Sequence, residues 1–224
     1  MKILGIDCGG STASVAISEN GRILASAFAD TSLLGIKHSA LLAPLVKNLL
    51  ADCNVSFADV DLFAVTNGPG SFTGVRIGAA FVKGLAFAEN KPVAAVSSLE
   101  AAAFGDYDDN LVCVTIDARR GECYAALFKE GKRVFGDTVL SYNALGAHIN
   151  DNFENKGVIL KGDGAAKAHA ELAPLIGNKR LTVKTGDVLA VSVCKIAEHT
   201  APIAAKELLP SYLRPSSAER ILIK

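Results

Sequence analysis

The second half of the chain repeats the plan of the first. A shift of 110 residues lays Ile6-Asp7 on Ile116-Asp117 and Gly21 on Gly131, with no gap between. In the first half, Lys2–Asp7 reads as a buried strand, and Thr12–Ser18 and Arg22–Phe28 flank Asn20-Gly21, a strong hairpin signal. Helical spacing follows over His38–Asp52, then a strand at 61–66, a helix at 75–89, a strand at Val93–Val96 and a short helix at 98–104. The second half offers strands at Leu111–Ile116, Glu122–Lys129 and Arg133–Leu140, then a helix at 142–151 and a strand at Gly157–Lys161. Helix 165–175, strand 181–184 and helix 187–199 complete it. Both halves therefore read βββαβαβα, an α/β class built by duplication. The pattern predicts two lobes, 1–106 and 107–224, the second abbreviated, facing each other across a cleft with Asp7 and Asp117 at its mouth. A tail from Ala201 carries three prolines and ends in Ile221-Leu222-Ile223.

Composition removes several function classes. Half of the 224 residues are apolar and mean hydropathy is +0.31, enough for a sizeable core. No uncharged apolar run approaches about 18 residues, so no membrane span is expected, and the start of the chain does not read as a secretory signal. Formal charge is zero. Nucleic-acid binding draws most of its affinity from phosphate neutralisation by a basic surface, so a nucleic acid would be held mainly by a partner. Five scattered cysteines contain no CxxC pair and four isolated histidines contain no HxxxH pair. Neither a disulfide framework nor a zinc site is expected, and a reduced cytoplasmic protein is.

Three short segments suit anion or metal chemistry. Asp7-Cys8-Gly9-Gly10-Ser11-Thr12 follows a strand, where small residues let backbone N–H groups approach an anion and a carboxylate can hold magnesium through water. Asp117-Ala118-Arg119-Arg120-Gly121-Glu122 is its counterpart, and Gly162-Asp163-Gly164 lies between a strand and a helix. Together they resemble the actin, Hsp70 and sugar-kinase (ASKHA) superfold, with Asp7, Gly9, Gly10, Ser11, Thr12, Asp117, Arg119, Gly162, Asp163 and Gly164 as the candidate nucleotide-binding set. Taken singly, each is more often a capped or solvated turn. The short second half and the absence of an evident general base beyond Asp117 and Glu122 point to a degenerate nucleotide site.

Residues 67–78, NGPGSFTGVRIG, place four glycines between a strand and a helix. A GxxxxGK[ST] phosphate loop needs Lys after its last Gly, whereas Val75 follows Gly74. With MKILGIDCGGSTASVAI, HSALLAPLV, IDARRGECYAALF and PSYLR, the segment resembles the TsaB (YeaZ) family over essentially the whole chain. The resemblance implies a non-catalytic relative of TsaD, the subunit that transfers a threonylcarbamoyl group to tRNA adenosine. TsaD-like proteins carry a metal-binding pair of His on one helix; here His38 has no second His, which argues against catalysis. The implied role is a dimerisation and activating subunit that binds a TsaD-like catalytic subunit, helps recruit a TsaE-like ATPase, meets tRNA only through the complex and forms a homodimer when alone. No cofactor is expected, apart from weak ATP or ADP with magnesium in the complex. Leu knobs on helix 38–52 and the small residues of helix 75–89 suit a four-helix interface, formed by His38, Leu41, Leu42, Leu45, Leu49, Val75, Gly78, Ala79 and Val82. The bland alternative is that both helices face their own sheet. The alternative function is an independent small ASKHA-type ATPase or kinase.

Overall fold

The computed structural model describes residues 1–105, 109–185 and 189–214. It divides into two units, Met1–Gly105 with Gly186–Pro210, and Asp106–Thr185 with Ser211–Lys224. The first contains β1 (Lys2–Asp7), β2 (Thr12–Glu19), β3 (Arg22–Asp30), α1 (Thr31–Leu34), α2 (His38–Asp52), β4 (Leu62–Thr66), α3 (Phe72–Ala88), β5 (Val93–Val96) and α4 (Ser98–Ala103). Its sheet runs in the order β3-β2-β1-β4-β5. The β1–β2 and β2–β3 pairs are antiparallel, and β1–β4 and β4–β5 are parallel.

The second unit contains β6 (Leu111–Arg119), β7 (Glu122–Lys129), β8 (Lys132–Ser141), α5 (Tyr142–Phe153), β9 (Val158–Lys161), α6 (Ala165–Ile176) and β10 (Leu181–Val183). Its order, β10-β9-β6-β7-β8, is the same topology strand for strand. The matched glycines also share a job. Asn20-Gly21 and Glu130-Gly131 both adopt positive φ (48 and 78°; 50 and 74°) in two-residue turns closed by Glu19↔Arg22 and Lys129↔Lys132. Turns of that kind match the right-handed twist of the strands they join.

Burial explains the unbroken apolar runs. Strands covered on both faces cannot alternate with polar residues. In the first sheet, Leu4, Ile6, Val15 and Phe63 pack under Leu42, Val46, Ala79 and Val82 of α2 and α3. Ile3, Ala16 and Ala64 pack on the other face against Val193 and Cys194 of α7 (Leu189–Ala197). Leu111, Leu127, Leu145, Leu160 and Leu172 form the core of the second unit.

The extent of the second lobe, expected as 107–224, needs correcting, because α7 and the segment to Pro210 belong to the first unit. Gly5 is the reason α7 fits there: a β-carbon on it would lie 2.6 Å from the Ala190 carbonyl oxygen and 2.7 Å from Cys194 Sγ. The Ala190 N–H donates to Ser14 Oγ at 3.2 Å and the Cys194 thiol to the Ala16 carbonyl at 3.4 Å. β6 runs to Arg119 instead of stopping at Ile116, and α3 starts at Phe72 instead of 75. Positions 187 and 188 of the expected last helix, and Ile221-Leu222-Ile223, lie outside the described residues.

Candidate functional site

The glycine-rich segment closes onto its own chain. A β-carbon at Gly70 would stand 2.6 Å from the Gly9 carbonyl oxygen, and one at Gly74 only 1.9 Å from that of Cys8. The Ser71 N–H donates to the Gly9 carbonyl at 2.7 Å, while Ser71 Oγ caps α3 by accepting from the Gly74 N–H at 3.2 Å. The Gly68 carbonyl accepts from the Ser98 N–H at 2.9 Å, and Asn67 Nδ2 donates to the Leu209 carbonyl at 3.3 Å. The glycines therefore let backbone meet backbone where a phosphate loop would hold an anion.

Asp7 lies beneath this contact, only 3% exposed. Its Oδ1 accepts from Thr66 Oγ1 at 2.5 Å and from the Gly9 N–H at 3.1 Å. Burial pushes the carboxyl up, against the opposing pull of those two donors and of His38. His38 Nε2 and Ser98 Oγ are buried nearby in the same unit without a hydrogen-bond partner. The Ser11 carbonyl accepts from the Thr31 N–H at 2.9 Å and from Thr31 Oγ1 at 2.6 Å, Gly10 is half-buried, and Thr12 pairs with Asp30 as β2 begins.

In the second unit, Asp117 accepts from Lys167 Nζ at 2.9 Å and from the Arg119 N–H at 2.8 Å. Lys167, first among the causes, holds that carboxyl below its usual range. Arg119 is exposed with φ 64°, next to the Arg120-Gly121 turn. The Gly164 N–H donates to the Thr115 carbonyl at 3.0 Å, and a β-carbon at Gly162 would lie 2.4 Å from that same oxygen. Asp163 between them is exposed. The structure thus gathers Asp7 with Gly9, and Asp117 with Gly162 and Gly164, each group inside one unit. Thr66, Ser98 and Lys167 escaped sequence reasoning, since a lone hydroxyl or helical lysine carries no spacing signal.

The expected partner surface is redrawn by burial. Leu42, Leu49, Val75, Gly78, Ala79 and Val82 lie in the core of the first unit, and His38, Leu41 and Leu45 are partly buried. The apolar stripes of α2 and α3 cover their own sheet, so those six positions face inward. The outward face instead presents Ala43, Pro44 and Lys47 on α2, and Ala80, Gly84 and Phe87 on α3. Phe87 is 85% exposed, and nothing lies within 4 Å of a β-carbon built on Gly84.

Among the described residues, no group of three or more His, Cys, Asp or Glu side chains could hold a metal ion, and no helix is long and apolar enough to cross a membrane. Burial pushes the Cys123 and Cys194 thiols up to about 12, and those of Cys8 and Cys113 upward too. A thiol so protonated is a poor nucleophile at neutral pH.

Comparison with known proteins follows this geometry. The family described as TsaD, tRNA N6-adenosine threonylcarbamoyltransferase, matches residues 32–218. The tRNA threonylcarbamoyladenosine biosynthesis protein TsaB of Bacillus subtilis is 30% identical, over 98% of this chain and 96% of the relative. A Pseudomonas aeruginosa crystal structure, described as an uncharacterized protein similar to peptidase YeaZ, superposes with TM-score 0.77 at 27% identity, covering 95% of this chain and 99% of the other. The ROK hexokinase of Thermus thermophilus shares the fold alone, with TM-score 0.53 at 12% identity over 89% of this chain and 98% of that one. The duplicated sheets are those of the ASKHA fold, and the near full-length match carries the assignment further: the chain belongs to the TsaB (YeaZ) family.

Proposed function

We propose that the chain is a non-catalytic subunit in tRNA threonylcarbamoyladenosine biosynthesis, acting in the cytoplasm by binding a TsaD-like catalytic subunit and helping to recruit a TsaE-like ATPase. The observation that carries this is the near full-length similarity to a protein bearing that biosynthetic name. The chemistry of the two sites supports a non-catalytic role. Both Asp7 and Asp117 already accept two hydrogen bonds from the chain itself, one of them from the Lys167 ammonium. The backbone that would face a phosphate carries the Gly70–Gly74 contact instead. As they stand, these residues do not fit a magnesium-bridged phosphate, so the chain needs no cofactor of its own and any nucleotide belongs to the complex.

The outward faces of α2 and α3 form the binding surface. Small residues let a partner helix approach closely, and an exposed Phe supplies the kind of aromatic anchor that dominates interfaces. In the absence of the partner, a second copy uses the same face, since exposed apolar surface drives association. tRNA is reached only through the complex, in line with the zero formal charge.

The test mixes the purified chain with its TsaD-like relative and follows assembly by size exclusion. Ala80→Asp and Phe87→Glu place a charge at an interface centre, where an unpaired buried charge is strongly unfavourable. Each should lose the complex while keeping the fold. Both variants assembling like the parent would put the interface elsewhere. Steady ATP turnover by the chain alone, abolished by Asp7→Ala, would favour the small ATPase or kinase alternative.

A further inference from the structure

Two adjacent arginines hold a backbone conformation that arginine disfavours. Arg119 and Arg120 have φ of 64 and 56°, and Gly121 follows at 77°, where β6 turns into β7. The left-handed region crowds a β-carbon against the chain, so turns of this kind favour Gly, Asn and Asp. Among the described residues the chain follows that preference at Asn20, Asn54 and Asn90, and departs from it at Glu130 and at this pair. The repeat shows that the fold does not ask for arginine here: the shift of 110 residues lays Gly9-Gly10 on Arg119-Arg120.

Backbone strain persists only where the surroundings hold it, and here they do. Asp117 Oδ1 accepts from the Arg119 N–H at 2.8 Å, Arg214 Nη1 donates to the Ala118 carbonyl at 3.1 Å, and Arg119 pairs with Glu122 across the turn. The same contacts settle the charge. Lys167 engages Asp117, and Arg214 engages Glu122. Other cations thus match the two carboxylates that flank the turn, and Arg119 and Arg120 are left exposed at the carboxyl end of β6. Lys161 and Asp163 nearby add one charge of each sign, so the cluster keeps a surplus of positive charge. The carboxyl ends of strands are also where α/β sheets ordinarily meet their ligands.

We propose that Arg119 and Arg120 bind backbone phosphates of the tRNA held by the complex, a contact that rests on the function proposed above. Guanidinium forks match phosphate oxygens in pairs, and a backbone contact needs exposed cations rather than a surface that reads bases. A protein partner would want an apolar or aromatic anchor, and residues 117–122 present no exposed large apolar side chain. Two phosphate contacts are too few to hold RNA on a chain of zero formal charge. The turn therefore orients a tRNA whose main hold lies elsewhere in the complex.

The experiment uses the complex assembled with the TsaD-like subunit and follows binding of an in vitro transcribed tRNA by fluorescence anisotropy at several salt concentrations. A chain carrying both Arg119→Asn and Arg120→Asn loses the two charges and eases the backbone. It should assemble like the parent on size exclusion and melt no lower than the parent, since Asn accepts positive φ more readily. Its complex should bind the transcript at least about tenfold more weakly. The slope of log K against log[salt] should become shallower by about 1.4–1.8, each phosphate contact being worth about 0.7–0.9. Lys132→Asn with Lys179→Asn removes two exposed cations from the other end of the same sheet and should change neither affinity nor slope. Unchanged affinity and slope in the arginine variant, or an equal loss in the lysine control, would overturn the contact and leave the proposed function standing. A lower melting point would assign the arginines to the fold, and failed assembly would assign the turn to a protein partner; either overturns the RNA contact. A parent chain that forms no complex would refute the proposed function, and this contact with it.

Discussion

Gly74 lies against Cys8 so closely that a β-carbon on the glycine would sit 1.9 Å from the Cys8 carbonyl oxygen. The contact decides what the glycine-rich segment is for. Its glycines join the start of α3 to the turn after β1, and the Ser71–Gly9 hydrogen bond fastens the same junction.

Gly74→Ala is therefore expected to destabilise strongly. The obstacle is backbone rather than the end of a flexible side chain, so the upper part of the usual overpacking cost, about 3 kcal/mol, applies. Urea denaturation measures it. A midpoint equal to that of the parent would mean that the junction opens without loss.

Gly84→Ala should act in the opposite sense. The position is an exposed helix interior with open space around it, and Ala is favoured over Gly there by about 1 kcal/mol. The isolated chain should gain that much, while affinity for the TsaD-like subunit should fall about tenfold, or 1.4 kcal/mol. Stabilisation with unchanged affinity would remove this glycine from the interface.

Asp7 makes stability fall with pH. Its folded carboxyl is raised by burial, so at pH between the unfolded and folded values the native chain holds a proton that the unfolded chain has lost. The contribution is full below the unfolded carboxyl value and disappears as pH rises through the raised folded value. Asp7→Asn removes the titrating group while leaving an oxygen for Thr66 and Gly9. Its stability relative to the parent should climb across that window and then level off. Parallel stability profiles for the two chains would contradict the raised carboxyl.

Lys167→Met should cost little, below about 1 kcal/mol, because the Asp117–Lys167 pair is some 40% exposed on both sides and solvent screens it. Asp117 is depressed, so whatever it contributes is present above the unfolded carboxyl value and fades as pH falls through the lower folded value. Thermal melts at neutral and strongly acidic pH check both the size and the direction.

The repeat was legible because hairpin chemistry and burial leave marks in residue type. Asn20-Gly21 and Gly131 announced their turns, and the apolar runs Lys2–Asp7 and Leu111–Ile116 announced strands covered on both faces. The placement of α7 was not legible. Small and apolar residues such as Ala190, Val193 and Cys194 show that a helix buries a face, but not against which sheet; Gly5, nearly two hundred residues away, decides that. The partner face failed for a related reason. Leu42 and Leu49 mark the buried stripe of α2, while the outward surface proposed for a partner consists of residues such as Ala43 and Gly84, which are inconspicuous in a sequence. The Asp7 site was half visible: the carboxylate and glycines stand out, Thr66 and Ser98 do not.

The return of α7 to the first unit sets a clock on biosynthesis. A ribosome that has just released Gly105 has delivered every strand of the first sheet, yet one face of that sheet lacks α7 until Cys194 emerges. At about 5–20 residues per second, the nascent chain waits roughly 4–18 s, making the stretch 106–185 of the second unit meanwhile. Throughout that interval Ile3, Ala16 and Ala64 are exposed to whatever else binds apolar surface in the cell. Slow codons between the two units would lengthen the exposure, and a holding chaperone acting on the nascent chain would find its target on the α7 face of the first sheet.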